Sequence, residues 1–285
     1  MSRHNKERRV YFVEGLCKLG LALKVGRWLR LMRLYAVKTG FIRVGDDLVD
    51  VVLKALSEQN LSLDDNDVLV FASKIVAYVQ GRIVKLKDVK PSRKALELAE
   101  KFSINGELAE LILREADAIY GGVEKAVLTL KDHMLTVNAG IDNKNAPLGC
   151  VALWPENVRD TAKQLREELF RKTGKRVAVM IIDSGLIPLV RGTVGLALAV
   201  AGFKPIEDYR GLRDLYGKEV LITQHAVAED LASAAHLFMG EASEETPIVL
   251  VKGAPLKFDD EVYGLEDLAL PQRECVFMRT FKADC

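Results

Sequence analysis

Three acidic residues stand where a folded chain presents side chains to a cleft more readily than to a core. Asp142 ends the segment Asn138-Ala-Gly-Ile-Asp142, just after an apolar run and beside a glycine that permits a tight turn. Asp183 follows the apolar run Arg176-Val-Ala-Val-Met-Ile-Ile182 and precedes Ser184 and Gly185. Glu241 follows Met239-Gly240 at the end of a helical pattern, and Glu244 and Glu245 continue an acidic loop. If these three ends converge, their carboxylates, with the Ser184 hydroxyl as a fourth donor, offer the hard oxygen ligands that Mg²⁺ or Mn²⁺ takes. Taken singly, each acid also reads as a turn or capping residue.

Other chemistries have less to work with. His4, His133, His225 and His236 are scattered without helical ligand spacing, and the last two read as packing or surface positions on one helix. Neither a G-x-x-x-x-G-K-[ST] loop nor a G-x-G-x-x-G turn occurs, so a Walker-type NTPase and a dinucleotide fold lack support. Cysteines 17, 150, 275 and 285 have no short paired spacing, which fits reduced thiols in a cytoplasm rather than a disulfide framework or a zinc knuckle.

The elements that must position these acids alternate from Gly45 onward, as in an α+β or mixed α/β protein. Helical patterns cover 47–58, 91–102, 106–117 behind a capping Asn105, 158–172 up to Gly174, and 226–239. Short apolar runs at 67–72, 126–130, 134–137, 176–182 and 247–251 read as strands, with a further strand expected within 75–84. Lys131-Asp132-His133 between two of these runs predicts a hairpin. At 285 residues, 49% of them hydrophobic, the chain is long enough to bury a substantial core.

The net charge of +1 conceals an asymmetry, because residues 1–38 carry ten Lys or Arg against two Glu. Residues 10–36 mix basic and apolar positions and read as one or two amphipathic helices, interrupted too often by charge for a signal peptide or a membrane span. Such an arm either docks on an anionic membrane surface or a partner, or packs on the core with its basic face in water. Without aromatic interleaving, nucleic-acid binding is not indicated. The expected organisation is therefore a basic extension over 1–34 and one domain over 35–285.

From about Tyr35 to about Gly253 the ordered segments resemble one family, the coenzyme F420-0:γ-glutamyl ligases, which add glutamate to a phosphate-linked deazaflavin at the expense of GTP. The resemblance is carried by Gly45-Asp-Asp-Leu48, Asp67-Val-Leu-Val70, Gly81-Arg82, Val137-Asn-Ala-Gly-Ile-Asp142, Thr173-Gly-Lys-Arg176, Ile182-Asp-Ser184, Asp208-Tyr-Arg-Gly211, Asp214-Leu-Tyr-Gly217 and Met239-Gly-Glu241. The run from 208 to 217 is the most specific of these. The resemblance implies that Asp142, Asp183, Ser184 and Glu241 bind two divalent ions, with K⁺ a further candidate. It places Ser73, Lys74, Asn145 and the loop Met239, Gly240, Glu241, Ala242, Ser243, Glu244, Glu245 and Thr246 at the guanine nucleotide. Arg191 reads either as a clamp on phosphate or carboxylate or as a surface arginine in a turn. An α+β fold, an intertwined homodimer, and GTP, L-glutamate and a coenzyme F420 precursor as substrates are implied as well.

The chain also departs from the family pattern. Ala77-Tyr78-Val79-Gln80 precedes Gly81 where relatives commonly carry a basic residue, and Gly185-Leu-Ile-Pro-Leu189 stands where they continue with Gly-Arg. Loss of cationic contacts weakens the grip on a polyanionic substrate. Two alternatives follow: a ligase acting on a different acceptor, or a catalytically silent nucleotide- or partner-binding paralogue.

Overall fold

Strands buried on both faces need apolar residues at every position, and the central sheet is built from such runs. The structure is a computed structural model of the chain and describes residues 31–280. Its main sheet has six strands in the order β1 (Arg33–Val37), β12 (Ile248–Lys252), β2 (Val68–Ala72), β8 (Ala178–Gly185), β9 (Val194–Phe203) and β13 (Phe258–Tyr263). Only β2 and β8 run parallel; the other neighbours are antiparallel. Alternation sends Leu69, Phe71, Val179, Ile181, Ile248 and Leu250 to one face, against α1 (Leu48–Glu58) and α5 (Val158–Thr173). Val68, Val70, Met180, Ile182, Val249 and Val251 point to the other face, which packs on α6 (Val227–Met239).

A second layer of structure hangs from this sheet. Helix α2 (Ser73–Val79) follows β2 directly, and β3 (Ile83–Lys85) pairs with β7 (Cys150–Ala152). Between them lie α3 (Arg93–Phe102), α4 (Gly106–Glu115) and the meander β4 (Ala118–Val123), β5 (Ala126–Lys131) and β6 (Met134–Val137), which enclose a smaller core around Phe102, Ile112 and Val127. After β9, residues 207–225 form an arm closed by β10 (Glu207–Asp208) and β11 (Gln224–His225). Short helices α7 (Leu265–Leu268) and α8 (Val276–Thr280) end the described chain.

The mixed α+β architecture expected from the sequence is present, and so is the β5–β6 hairpin, whose turn residues Asp132 and His133 have φ of 46° and 71°. Those signs are what a two-residue hairpin turn demands. Two expectations are corrected. The strand expected within 75–84 is instead α2 followed by β3: burial of Ile75, Val76 and Ala77 within the helix overrides the β-leaning of the first two side chains. The helical reading of 10–36 fails at its end, where Arg33–Val37 pairs residue for residue with β12; residues 10–30 lie outside the described residues. Arg33 and Leu34, expected in the extension, thus belong to the main sheet.

The Asp-x-x-Gly segments 208–211 and 214–217 shape the turns of this arm. Asp208 accepts the Arg210 N–H at 3.0 Å, and Asp214 accepts those of Tyr216 and Lys218 at 2.8 and 2.9 Å. Gly211 and Gly217 supply the left-handed conformations that follow, with φ of 82° and 78°.

Candidate active site

In open sheets, ligands collect beyond the carboxyl ends of parallel strands, where side chains and helix starts diverge and leave a crevice. Here β2 and β8 form the single parallel pair among the described residues, in register from Val68 with Ala178 to Ala72 with Ile182. Ser73 and Asp183 are the next residues along each strand, so the two arrive at the same edge. The loop after α6 comes to the same edge because the Pro247 carbonyl accepts the Ala72 N–H at 2.9 Å. The loop carrying Asp142 is brought in by its two backbone hydrogen bonds with Ala152, at 2.9 and 2.8 Å.

These segments surround a cleft of about 560 Å³. Asp142, Asp183, Ser184 and Glu241 all line it, as do Ser73, Lys74, Asn145, Met239, Gly240, Ala242, Ser243, Glu244, Glu245 and Thr246. Arg191 is not part of that lining; it sits in the exposed β8–β9 connection. Leu186 and Ile187 are exposed on the same connection and likewise do not line the cleft. Of the departures before Gly81, Ala77 is buried, Gln80 bonds the Glu156 carbonyl and Thr161, and only Tyr78 faces the cleft. Arg82 pairs with Glu115 and Glu156 at 2.8 and 2.7 Å, a structural tie between subdomain and sheet.

Each acid has its own partners. Asp142 accepts the Lys74 ammonium at 2.7 Å and the Lys144 backbone N–H at 2.7 Å. Asp183 accepts the indole N–H of the buried Trp154 and the Ser184 N–H at 2.9 Å. Burial pushes the Asp183 carboxyl up, against the opposing pull of Trp154, Ser73, Ser184 and the Lys74 charge. Gly140 makes room for this arrangement: a Cβ there would lie 2.4 Å from the indole nitrogen. Glu241 accepts Lys144 Nζ at 2.7 Å on one oxygen, and Thr193 Oγ1 at 2.6 Å and His236 Nε2 at 2.9 Å on the other. Partial burial raises its pKa, but those three bonds outweigh it and hold the carboxyl at about 2. Asn145 donates to the Ala242 carbonyl at 2.7 Å and its own carbonyl accepts the Tyr78 hydroxyl at 2.7 Å, which joins the Asp142 loop to the Glu241 loop.

Sequence reading missed Lys144, Thr193 and Trp154, singled out Tyr78 only as a departure from the family pattern, and took His236 for a packing or surface residue. His236 could have been found from its position one turn before Met239 on the helix that delivers Glu241, and Lys144 from its place between Asp142 and Asn145. Thr193 and Trp154 carry no comparable local signal.

The donor set suits a hard divalent ion, although among the described residues no three His, Cys, Asp or Glu side chains are grouped as a metal cage. Mg²⁺ in particular is commonly held by one or two carboxylates together with substrate phosphates rather than by an all-protein cage. Asp142, Asp183, Ser184 and Glu241 offer oxygen donors of that kind on the cleft wall.

A protein-family model described as F420-0:gamma-glutamyl ligase matches residues 36–253. The coenzyme F420:L-glutamate ligase of Methanothermobacter thermautotrophicus is 36% identical over 237 residues, 83% of this chain and 94% of the relative. The protein of the same name from Methanopyrus kandleri is 38% identical over 213 residues, covering 74% and 82%, and that from Archaeoglobus fulgidus 32% over 241 residues, covering 85% and 94%.

Proposed function

Because the chain belongs to the F420-0:γ-glutamyl ligase family, and so is an enzyme of the ligase class, we propose that it joins L-glutamate to the carboxylate of coenzyme F420-0 at the expense of GTP. The observation that carries this reading is the single cleft at the carboxyl ends of β2 and β8, on which the acids, Ser73, Lys74, Asn145 and the 239–246 loop all meet.

A carboxylate does not react with an amine in water, so the acceptor has to be activated first. Transfer of the GTP γ-phosphoryl group to the acceptor carboxylate gives an acyl phosphate and GDP. The α-amine of glutamate then attacks the carbonyl carbon, phosphate leaves, and the nitrogen loses a proton. Asp142, Asp183, Ser184 and Glu241 would hold Mg²⁺ or Mn²⁺, which when bound offsets the charge on the transferring phosphoryl group. Lys74, on the same cleft, supplies fixed positive charge for the nucleotide phosphates. Ile42 and Ile75 give the cleft an apolar side that, once substrates fill it, would limit the water able to hydrolyse the acyl phosphate. A homodimer and a cytoplasmic location complete the reading; among the described residues no helix is long and apolar enough to cross a membrane.

Incubation of the purified protein with Mn²⁺, GTP and coenzyme F420-0 should release GDP and phosphate only when glutamate is present, with a glutamylated product by mass spectrometry. One observation favours a different acceptor: Tyr78, uncharged and tied to the Asn145 carbonyl, lines the cleft in the segment where the family resemblance leads one to expect a basic residue. A panel of less anionic carboxylates in the same assay decides between the two, and no product with any acceptor would overturn both.

A further inference from the structure

One lysine faces all three acids of the cleft. Lys144 Nζ donates to Glu241 at 2.7 Å, its backbone N–H donates to Asp142 at 2.7 Å, and its carbonyl accepts Lys74 Nζ at 2.9 Å. The bond to Glu241, with further attraction from Asp142 and Asp183, holds its ammonium above the usual lysine range. Its side chain is 51% exposed, so it is free to leave without disturbing a packed core. Lys74 on Asp142 and Lys144 on Glu241 thus each partner one of the three acids proposed to hold an ion. A divalent ion that approaches Glu241 meets an oxygen already bonded to a cation.

We propose that Lys144 is a resident counter-cation that a divalent ion must displace from Glu241, and that nucleotide phosphates favour loading by accepting the released ammonium. This rests on the ion-binding reading above. It makes ion binding weak without nucleotide and stronger with it, because the two ligands share one mobile positive charge. A half-exposed pair is a weak competitor, so the threshold is modest: removal of the charge should tighten Mn²⁺ binding by about 2- to 5-fold.

The test titrates the full-length protein with Mn²⁺ alone, reading free ion by electron paramagnetic resonance. Lys144→Gln and Lys144→Met should both bind more tightly than wild type by that factor. Lys144→Arg, which keeps the charge, and Lys163→Gln, which removes a lysine paired with Glu167 on α5, should bind as wild type does. With a non-hydrolysable GTP analogue present, the advantage of the neutral variants should shrink or reverse. Neutral variants that bind Mn²⁺ no more tightly than wild type, where wild type does bind it, would overturn the role of Lys144 and leave the ion-binding reading standing. If no form binds Mn²⁺ with or without the analogue, the ion-binding reading falls and the inference with it.

Discussion

Asp183 and Glu241 are both acids on one cleft, yet their surroundings push them in opposite directions. Glu241 is held ionised by Lys144, Thr193 and His236, whereas Asp183 is pushed up by burial and stabilised chiefly through neutral donors. The indole N–H of Trp154 is one of those donors, so Trp154→Phe keeps the ring's bulk but withdraws a bond from the charged form. With that bond gone the Asp183 carboxyl rises further, and a higher pH is needed to ionise it. The acidic limb of the kcat/KM profile should therefore move to higher pH, with turnover at neutral pH reduced on the order of 10-fold. A pH–rate profile beside wild type checks this; a limb that stays in place would show that the bond does not govern the ionisation of Asp183.

At the level of elements, the cleft depends on how closely α6 approaches β9. A Cβ at Gly195 would lie 2.3 Å from the Ala232 carbonyl oxygen and 2.8 Å from the Cβ of His236, so the strand and helix are in backbone contact there. Gly195→Ala forces α6 away from the sheet, and with it His236 and the start of the Glu241 loop. The cost of such overpacking is about 1–3 kcal/mol, and denaturant unfolding should show that loss alongside reduced activity. The same packing explains what the sequence hid. Strand β9 reads Val-Gly-Leu-Ala-Leu-Ala-Val-Ala-Gly-Phe, and its small residues, poor in β-propensity, serve the close approach of helices on both faces rather than the strand itself. By contrast β2, β8 and β12 are legible because their β-branched runs match their burial, and Asp183 is legible as the first acid after such a run. Convergence with Asp142 and Glu241 is a property of the parallel β2–β8 pair and of the Ala72–Pro247 bond, neither of which local pattern encodes.

For the whole molecule, the arm at 207–225 carries an unusual share of exposed apolar side chains. Its strands are held by backbone hydrogen bonds such as Gly211 to Val220 at 2.9 Å and Val220 to Leu212 at 2.8 Å, and its isolated bridge joins Arg213 to Glu219. Leu212, Leu215, Tyr216, Leu221 and Ile222 are exposed along it, Leu215 completely and Ile222 at 87%. A two-stranded ribbon has little stability of its own in water, and several apolar side chains concentrated on one mark a surface that something covers. A homodimer, as the family resemblance implies, would supply a cover of matching chemistry, a second copy of the chain. Light scattering coupled to size exclusion should then give twice the chain mass for wild type. Leu215→Asp with Ile222→Asp would place two charges in the apolar contact and should shift the protein to monomer at micromolar concentration. Because both positions lie on the arm and contribute nothing to the buried core, the variant's circular dichroism should stay native, so loss of dimer without loss of fold is the expected outcome. A wild type that is monomeric at every concentration, or a double variant that still elutes as a dimer, would remove the arm from the interface.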